Sequence, residues 1–362
     1  KALEDIGYKD MQPMFEAMPS ADKNLWSARF NFARYGNLQA FYKVLEFNET
    51  QSHGVTKAEY DQHYLTVVRM ELPDGCITRV AEFDYHALKP KRLIDANENI
   101  EEVIYEPSGQ PLVTSFYGTE NGKDAGFHEL TGWTKPDTSA EYAIQNPYLT
   151  VQKAASTLHK NLFSWMGRIP ASTLQTRSIR QGDLLPGGHI RASARQRLAE
   201  GKDLTPDDQL LLNAIDAAYR EPVHTVMLSA DRYPDDPDVQ IQIVKTCVDG
   251  FGRILQTLQE VDPGLAYTVD ENGELLIEEG EQMAQRRWRI SERVEYNNKG
   301  LPIRQYRPFF ANTHRYVNQS VRKLGLFDQL FYDALGRLIK LINAKEDFAR
   351  TTCHPWFTIS ED

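Results

Sequence analysis

Cysteine is nearly missing from these 362 residues, with Cys76, Cys247 and Cys353 as the whole complement. Three scattered thiols lack the paired spacings of a disulfide framework or a zinc site, so they read as free or buried and carry no redox role. Long apolar runs are lacking too. No stretch approaches the roughly 18 residues of a membrane span, and the opening KALEDIGYKDMQPMF has no apolar core of a signal peptide, so no direct membrane contact is expected. The chain opens on Lys1 rather than an initiator Met, which fits an excised fragment or a processed product. The net charge of −10 is spread without a long run of one sign, which argues for solubility and against a nucleic-acid partner. The nine histidines are dispersed, with neither zinc-protease spacing nor a nucleophile elbow nearby. No cofactor, no metal and no enzyme activity are expected.

What is present suits a folded protein. A hydrophobic fraction of 41% and a charged fraction of 25% are ordinary, and the length allows one large domain or two to three smaller ones with a substantial core. Periodicity of two dominates. Trp288, Ile290, Val294 and Tyr296 alternate with arginines and Glu295, and Glu292 alone breaks the pattern. Val239 to Ile243 repeats the alternation, and Tyr64 to Glu71 is rich in β-branched and aromatic residues. These are expected strands.

One segment reads as helical. Ile190 to Arg220 is rich in Ala, Leu, Gln and Arg, with apolar residues three and four apart. Thr205 suits an N-cap, Pro206 the first helical position, and Asp207 and Asp208 the positive end of the dipole, while Gly201 ends a preceding short helix. Leu149 to Met166 is compatible with helix or strand. The first 55 or so residues carry aromatics such as Phe30, Phe32 and Tyr35 without a clean pattern.

A five-residue corner recurs: an aromatic or β-branched residue, then Asp, Glu or Asn, two free positions and Gly. It occurs at Tyr105-Glu106-Pro107-Ser108-Gly109, Val248-Asp249-Gly250-Phe251-Gly252, Val269-Asp270-Glu271-Asn272-Gly273, Tyr296-Asn297-Asn298-Lys299-Gly300 and Tyr332-Asp333-Ala334-Leu335-Gly336. Arg253 and Arg337 follow two of the glycines. The Asx side chain can bond backbone two residues on, Gly takes the positive φ that other residues resist, and the next strand then begins. The leading Tyr or Val can pack on a cross-strand neighbour. Five copies argue for a repeated structural device rather than one active site, and for a rolled or spiralling sheet of hairpins.

Other motifs are weaker. Asp231, Asp235, Asp236 and Asp238 suggest a calcium loop, but Gln242 stands where an EF-hand needs its bidentate Glu. Gly250-Phe251-Gly252 begins a dinucleotide fingerprint, but Leu255 replaces its third Gly. Cys353 and His354 are adjacent, which in a strand points them to opposite faces and disfavours a dyad. Asn48-Glu49-Thr50 and Asn318-Gln319-Ser320 fit a glycosylation pattern short enough to arise by chance. Five Trp and 17 Tyr keep open a carbohydrate-binding or polysaccharide-processing β-scaffold.

The Tyr-Asp-x-x-Gly-Arg corner resembles the YD repeat of bacterial Rhs proteins, and longer stretches resemble the B component of insecticidal toxin complexes (Tc toxins). They are FDYHALKPKRLIDANENIEEVIYEPSGQPLVTSFYGTENG (83 to 122), LFSWMGRIP (162 to 170), SADRYPDDPDVQIQIVKTCVDGFGRILQ (229 to 256), RVEYNNKGLPIRQYRPFF (293 to 310) and LFYDALGRLIKLINAKEDFARTTCHPWFTISED (330 to 362). In order, they cover most of residues 58 to 362; residues 1 to 57 match less well. The resemblance implies the C-terminal part of a longer, secreted B component. In that family the B and C components build a hollow β-sheet shell that keeps the toxic C-terminal region of C unfolded, and a β-propeller of B docks it on the pore-forming A component. The self-cleaving aspartyl protease belongs to C, so no catalytic residue is expected here. The implied fold is mostly β, a curved antiparallel YD-repeat sheet forming a shell wall. Its parts are a poorly assigned lead-in over 1–57, shell strands over 58–189, a helical insertion over 190–220 and shell strands over 221–362. A shell segment of another Rhs-type polymorphic toxin is the remaining alternative.

Overall fold

The computed structural model describes residues 2–5, 7–10, 26–28, 31–50, 53–136, 139–166, 181–184, 190–201, 204–216, 220–270 and 273–362. Phe30, Glu271 and Asn272 lie outside the described residues. The protein is mostly β, its sheets are antiparallel, and they are not closed into a barrel. Two compact units divide the chain.

The first unit comprises Lys1–Thr134, Gln152–Ser156 and Arg232–Val239. Its strands pair in simple sequence order: Phe32–Tyr35, Val44–Asn48, Thr56–Tyr60, Val67–Glu71, Ile77–Asp84, Lys89–Ile94, Ile100–Tyr105 and Pro111–Glu120. Lys123–Gly126 folds back on the last of these. Each connection is a hairpin, so local pairing alone builds the ladder. Few of its side chains are fully buried, and charges knit an open face: across strands Lys57 Nζ lies 3.0 Å from Glu71 and Arg69 2.8 Å from Glu59, and along its own strand Arg69 lies 3.1 Å from Glu71. Tyr64, expected to begin a strand, instead sits in the preceding turn at φ 54°, and that strand starts at Val67.

The second unit comprises Lys135–Val151, Thr157–Asp231 and Gln240–Asp362. One run pairs Val223–Ala230, Ile241–Val248, Ile254–Val261, Arg287–Ser291 and Phe309–Ala311. Another pairs Val294–Tyr296, Pro302–Tyr306, Phe327–Tyr332, Leu338–Ile342, Phe348–Cys353 and Thr358–Glu361. Alternate residues Val226, Leu228, Ile243, Cys247, Leu258, Trp288 and Ile290 form a core with Ile144, Val151, Val317 and Val321. Burial pushes the Cys247 thiol up to about 12, leaving it inert. The alternation from Trp288 to Tyr296 is not one strand. Glu292 takes φ 52° and separates two strands that belong to different sheets. Leu149 to Met166 combines both of its readings, as the helix Pro147–Val151 and the strand Ser156–Asn161.

The helical segment folds as Ala192–Glu200 and Pro206–Asp216, joined around a small core of Ile190, Ala194, Leu198, Leu211 and Ala214. Gly201 caps the first helix in the left-handed conformation. Thr205 Oγ1 accepts from Asp208 N (3.2 Å) while Asp208 Oδ2 accepts from Thr205 N (3.0 Å), a reciprocal cap in which Asp replaces the usual Glu. Arg197 of the first helix donates to Asp208 and to Asp183 (3.0 and 2.7 Å), so one guanidinium pins the start of the second helix.

Candidate functional site

The five corners share one backbone geometry. In each, the amide of the Gly donates to the carbonyl of the Asx or Glu three residues earlier, from Gly109 to Glu106 (2.8 Å) through Gly336 to Asp333 (3.0 Å). The amide of that first residue donates to the carbonyl four residues on. Gly109, Gly252, Gly273, Gly300 and Gly336 lie at φ 76°, 78°, 77°, 80° and 83°, where a Cβ costs about 1–2 kcal/mol.

The Asx side chains complete the turn. Asp249 Oδ1 accepts from the amides of Phe251 and Arg253 (2.9 and 3.0 Å), Asn297 Oδ1 from Lys299 and Leu301 (2.9 and 3.0 Å), and Asp333 Oδ1 from Leu335 and Arg337 (both 2.9 Å). Asp270 Oδ1 accepts from Glu274 N (2.7 Å). Arg253 and Arg337 bend back so that each Nε donates to its own corner's Asp Oδ2, at 2.6 and 2.7 Å. The amide bond from Arg337 and then its side chain hold Asp333 below the ordinary carboxylate range.

The leading tyrosines do more than pack. Tyr105 Oη donates to the carbonyl of Pro90 (2.7 Å), and Lys89 Nζ lies 5.7 Å from the Tyr105 ring centre. Tyr296 Oη donates to the carbonyl of Ile254 (3.0 Å), with the Arg253 guanidinium 4.5 Å from its ring centre. Tyr60, at a corner closed by Tyr64, repeats the arrangement on Val44 and Lys43 (3.1 and 5.9 Å). Each step has three parts. The cation ending one hairpin covers the tyrosine of the next, and that hydroxyl caps the carbonyl just after the cation. The last step of the second unit differs. Leu301 takes the cation's place against Gly336, and Lys299 Nζ donates to the carbonyl of Ala334 (2.8 Å).

Two corners escape the five-residue pattern because they lack glycine. Asp95–Asn99 and Asn343–Asp347 make the same pair of backbone bonds, with Glu98 at φ 61° and Glu346 at φ 71° in the glycine position. Their signal lies in the related strings LIDANENI and LINAKEDF, in which Asx residues stand at both ends of the turn.

The other motifs are not drawn into a common site. In the loop after Ala230, Asp231 Oδ1 accepts from Gln240 N (2.7 Å) and Asp236 Oδ2 from Tyr233 N (3.2 Å). Among the described residues no group of three or more His, Cys, Asp or Glu is placed to hold a metal ion. Phe251 stands almost bare at a corner tip. His354 stacks on Phe357 at 4.4 Å between centres. All three cysteines are free. Asn318 Oδ1 accepts from Ser320 N (2.8 Å), capping a short helical turn.

Fold and corners together define the class: an antiparallel β-sheet protein of the YD-repeat, Rhs type. No protein-family model matches the chain, and no curated protein matches it. Among solved structures it is similar over its whole length to the crystal structure of TcdB2-TccC3-Cdc42 (TM-score 0.87, 30% identity). It is equally similar to TcdB2-TccC3 without its hypervariable C-terminal region (0.87, 31%) and to the Photorhabdus luminescens Tc holotoxin pore (0.87, 31%). The likeness is that of a Tc toxin B component shell segment. The chain spans 17% of each of those chains. No helix among the described residues is long and apolar enough to cross a membrane.

Proposed function

We propose that this chain is a wall segment of a hollow, secreted toxin shell in which the B component, with the C component, holds an unfolded cytotoxic cargo for translocation. The observation that carries this reading is the likeness in sequence and fold, over the whole of this chain, to a part of the TcdB2-TccC3 structures, borne by hairpins stacked corner on corner. Containment is the mechanism. A wall of self-pairing hairpins separates an unfolded chain from water, proteases and other chains, and needs no catalytic group. The direct partners are the C component and its enclosed toxic region; the pore-forming A component is met through other parts of the full-length protein.

The corner residues Tyr105, Gly109, Asp249, Gly252, Arg253, Asp270, Gly273, Tyr296, Gly300, Tyr332, Asp333, Gly336 and Arg337 serve the wall by setting hairpin register and joining neighbouring hairpins. The strand Thr358–Glu361 pairs on one side with Phe348–Cys353 and has no second strand among the described residues. An open edge of this kind favours association when the segment is expressed alone.

The test is protease protection of the C component's toxic region, co-expressed with the reading frame containing this segment and again with the segment deleted. Protection is expected to disappear on deletion. Cargo equally protected without the segment refutes the wall reading.

A further inference from the structure

A polar cleft of about 420 Å³ opens in the second unit beside the Asp249 and Tyr296 corners. Its lining includes Arg253, Arg293 and Arg322 against the carboxylates Asp249 and Glu295. Both carboxylates are already engaged. Asp249 accepts from Arg253 and two amides. Glu295 accepts from Arg304 (2.8 Å), Tyr306 Oη (2.7 Å) and Arg322 (2.7 and 2.9 Å). Burial alone would raise Glu295, but the bonds from Arg322, Tyr306 and Arg304 outweigh it and hold the carboxyl at about 2, ionised throughout the working range.

Arg293 is the exception. It is only 4% exposed, and among the described residues it has no carboxylate within ion-pair distance. Its guanidinium donates to Tyr316 Oη and, at 3.4 Å, to the carbonyl of Asn318. Its buried Nε–H finds no acceptor. Tyrosine rings at 4.9 Å (Tyr316) and 6.0 Å (Tyr306) soften its desolvation without neutralising it. A buried cation with unspent donors is costly unless an anion completes it. The cleft carries one cation more than it has carboxylates, in a chain whose net charge is −10.

We propose that this cleft is a binding site for one small oxyanion, a carboxylate or a phosphate, received by the Arg293 guanidinium with Arg322 and Arg253 at its rim. The planar guanidinium fork matches either anion, and the two remaining arginines are held in place by their own carboxylates. The site is independent of the containment reading.

The test uses the whole 362-residue chain, labelled with nitrogen-15, titrated separately with sodium acetate and inorganic phosphate at ionic strength held constant with chloride. Saturable displacement of the Arg293 Nε–Hε resonance is expected for at least one anion, with an unfolding midpoint that rises with anion concentration as binding linkage requires. A response to acetate alone identifies a carboxylate as the ligand, and to phosphate alone a phosphate. Arg293→Gln removes that resonance and should abolish the anion-dependent rise in unfolding midpoint. Should that variant fail to fold, Gln319→Glu places a carboxylate on the exposed lip of the cleft and should blunt the response. No displacement by either anion, a response equalled by chloride, or full responses in the variants would overturn the proposal.

Discussion

Gly252→Ala and Gly300→Ala separate the two roles of a corner glycine. Both residues sit at nearly the same φ, 78° and 80°, so both substitutions carry the left-handed penalty of about 1–2 kcal/mol. Their surroundings differ. A Cβ at Gly252 meets nothing, whereas one at Gly300 overlaps the Arg253 guanidinium. That arginine must then leave the Tyr296 ring, worth about 0.5–1 kcal/mol for a partly exposed cation–π contact. It also loosens its pair with Asp249, worth about 0.2–1 kcal/mol for a partly exposed ion pair. Gly300→Ala should therefore cost about 0.7–2 kcal/mol more than Gly252→Ala. Urea unfolding of both variants measures the difference. In an Arg253→Met background the excess should vanish, a coupling of about 1 kcal/mol in a double-mutant cycle. Equal costs at the two glycines, or no coupling, would refute the corner-to-corner contact.

Glu98→Gly should stabilise by about 1 kcal/mol by relieving φ 61°, since the exposed ion pair it gives up with Arg79 is worth little; a destabilised variant in urea unfolding would contradict this. Tyr105→Phe leaves the Pro90 carbonyl without its hydroxyl donor and should cost about 1 kcal/mol, with faster amide exchange confined to the adjoining hairpins. Lys245, only 1% exposed, donates to both oxygens of Glu221 (2.7 and 2.8 Å); Lys245→Met should cost about 3–5 kcal/mol by stranding that carboxylate, and a near-neutral result would show the pair to be dispensable. His224 supplies a pH dependence. Burial, then Lys245, push it down to about 4 from an ordinary 6.5, with Glu221 opposing. Its neutral form is the one the fold accepts, so its contribution is complete above pH 6.5 and is lost as pH falls toward about 4, on the order of 3 kcal/mol. Unfolding midpoints across that window should flatten in His224→Gln, and an unchanged profile would assign the acid sensitivity to other groups.

The class of fold was legible because its grammar is local. Alternation marks strands such as Ile241–Val248, and the Thr205 and Gly201 caps delimit the helices, through interactions only three or four residues long. Alternation is blind to backbone handedness, however, which is why Trp288 to Tyr296 looked continuous across Glu292. It is equally blind to a buried charge. Lys245 occupies an inward position between Ile243 and Cys247, and its partner Glu221 lies 24 residues away in the sequence.

Sequence by itself determined that hairpins would form and where most of them turn, because Asx and Gly act within five residues. It also carried the family likeness, since the matching stretches are linear. What only the tertiary structure decided is how one hairpin holds the next. The tyrosine hydroxyls reach carbonyls 16, 15 and 42 residues away, spacings set by strand lengths and by the chain looped between. The same holds for Arg293, which among the described residues has no carboxylate within ion-pair distance, a fact visible only once the carboxylates of its cleft are assigned to other cations. Local turns obey short-range sterics; neighbours across a sheet and charges in a cleft are chosen by packing, which no short window of sequence contains.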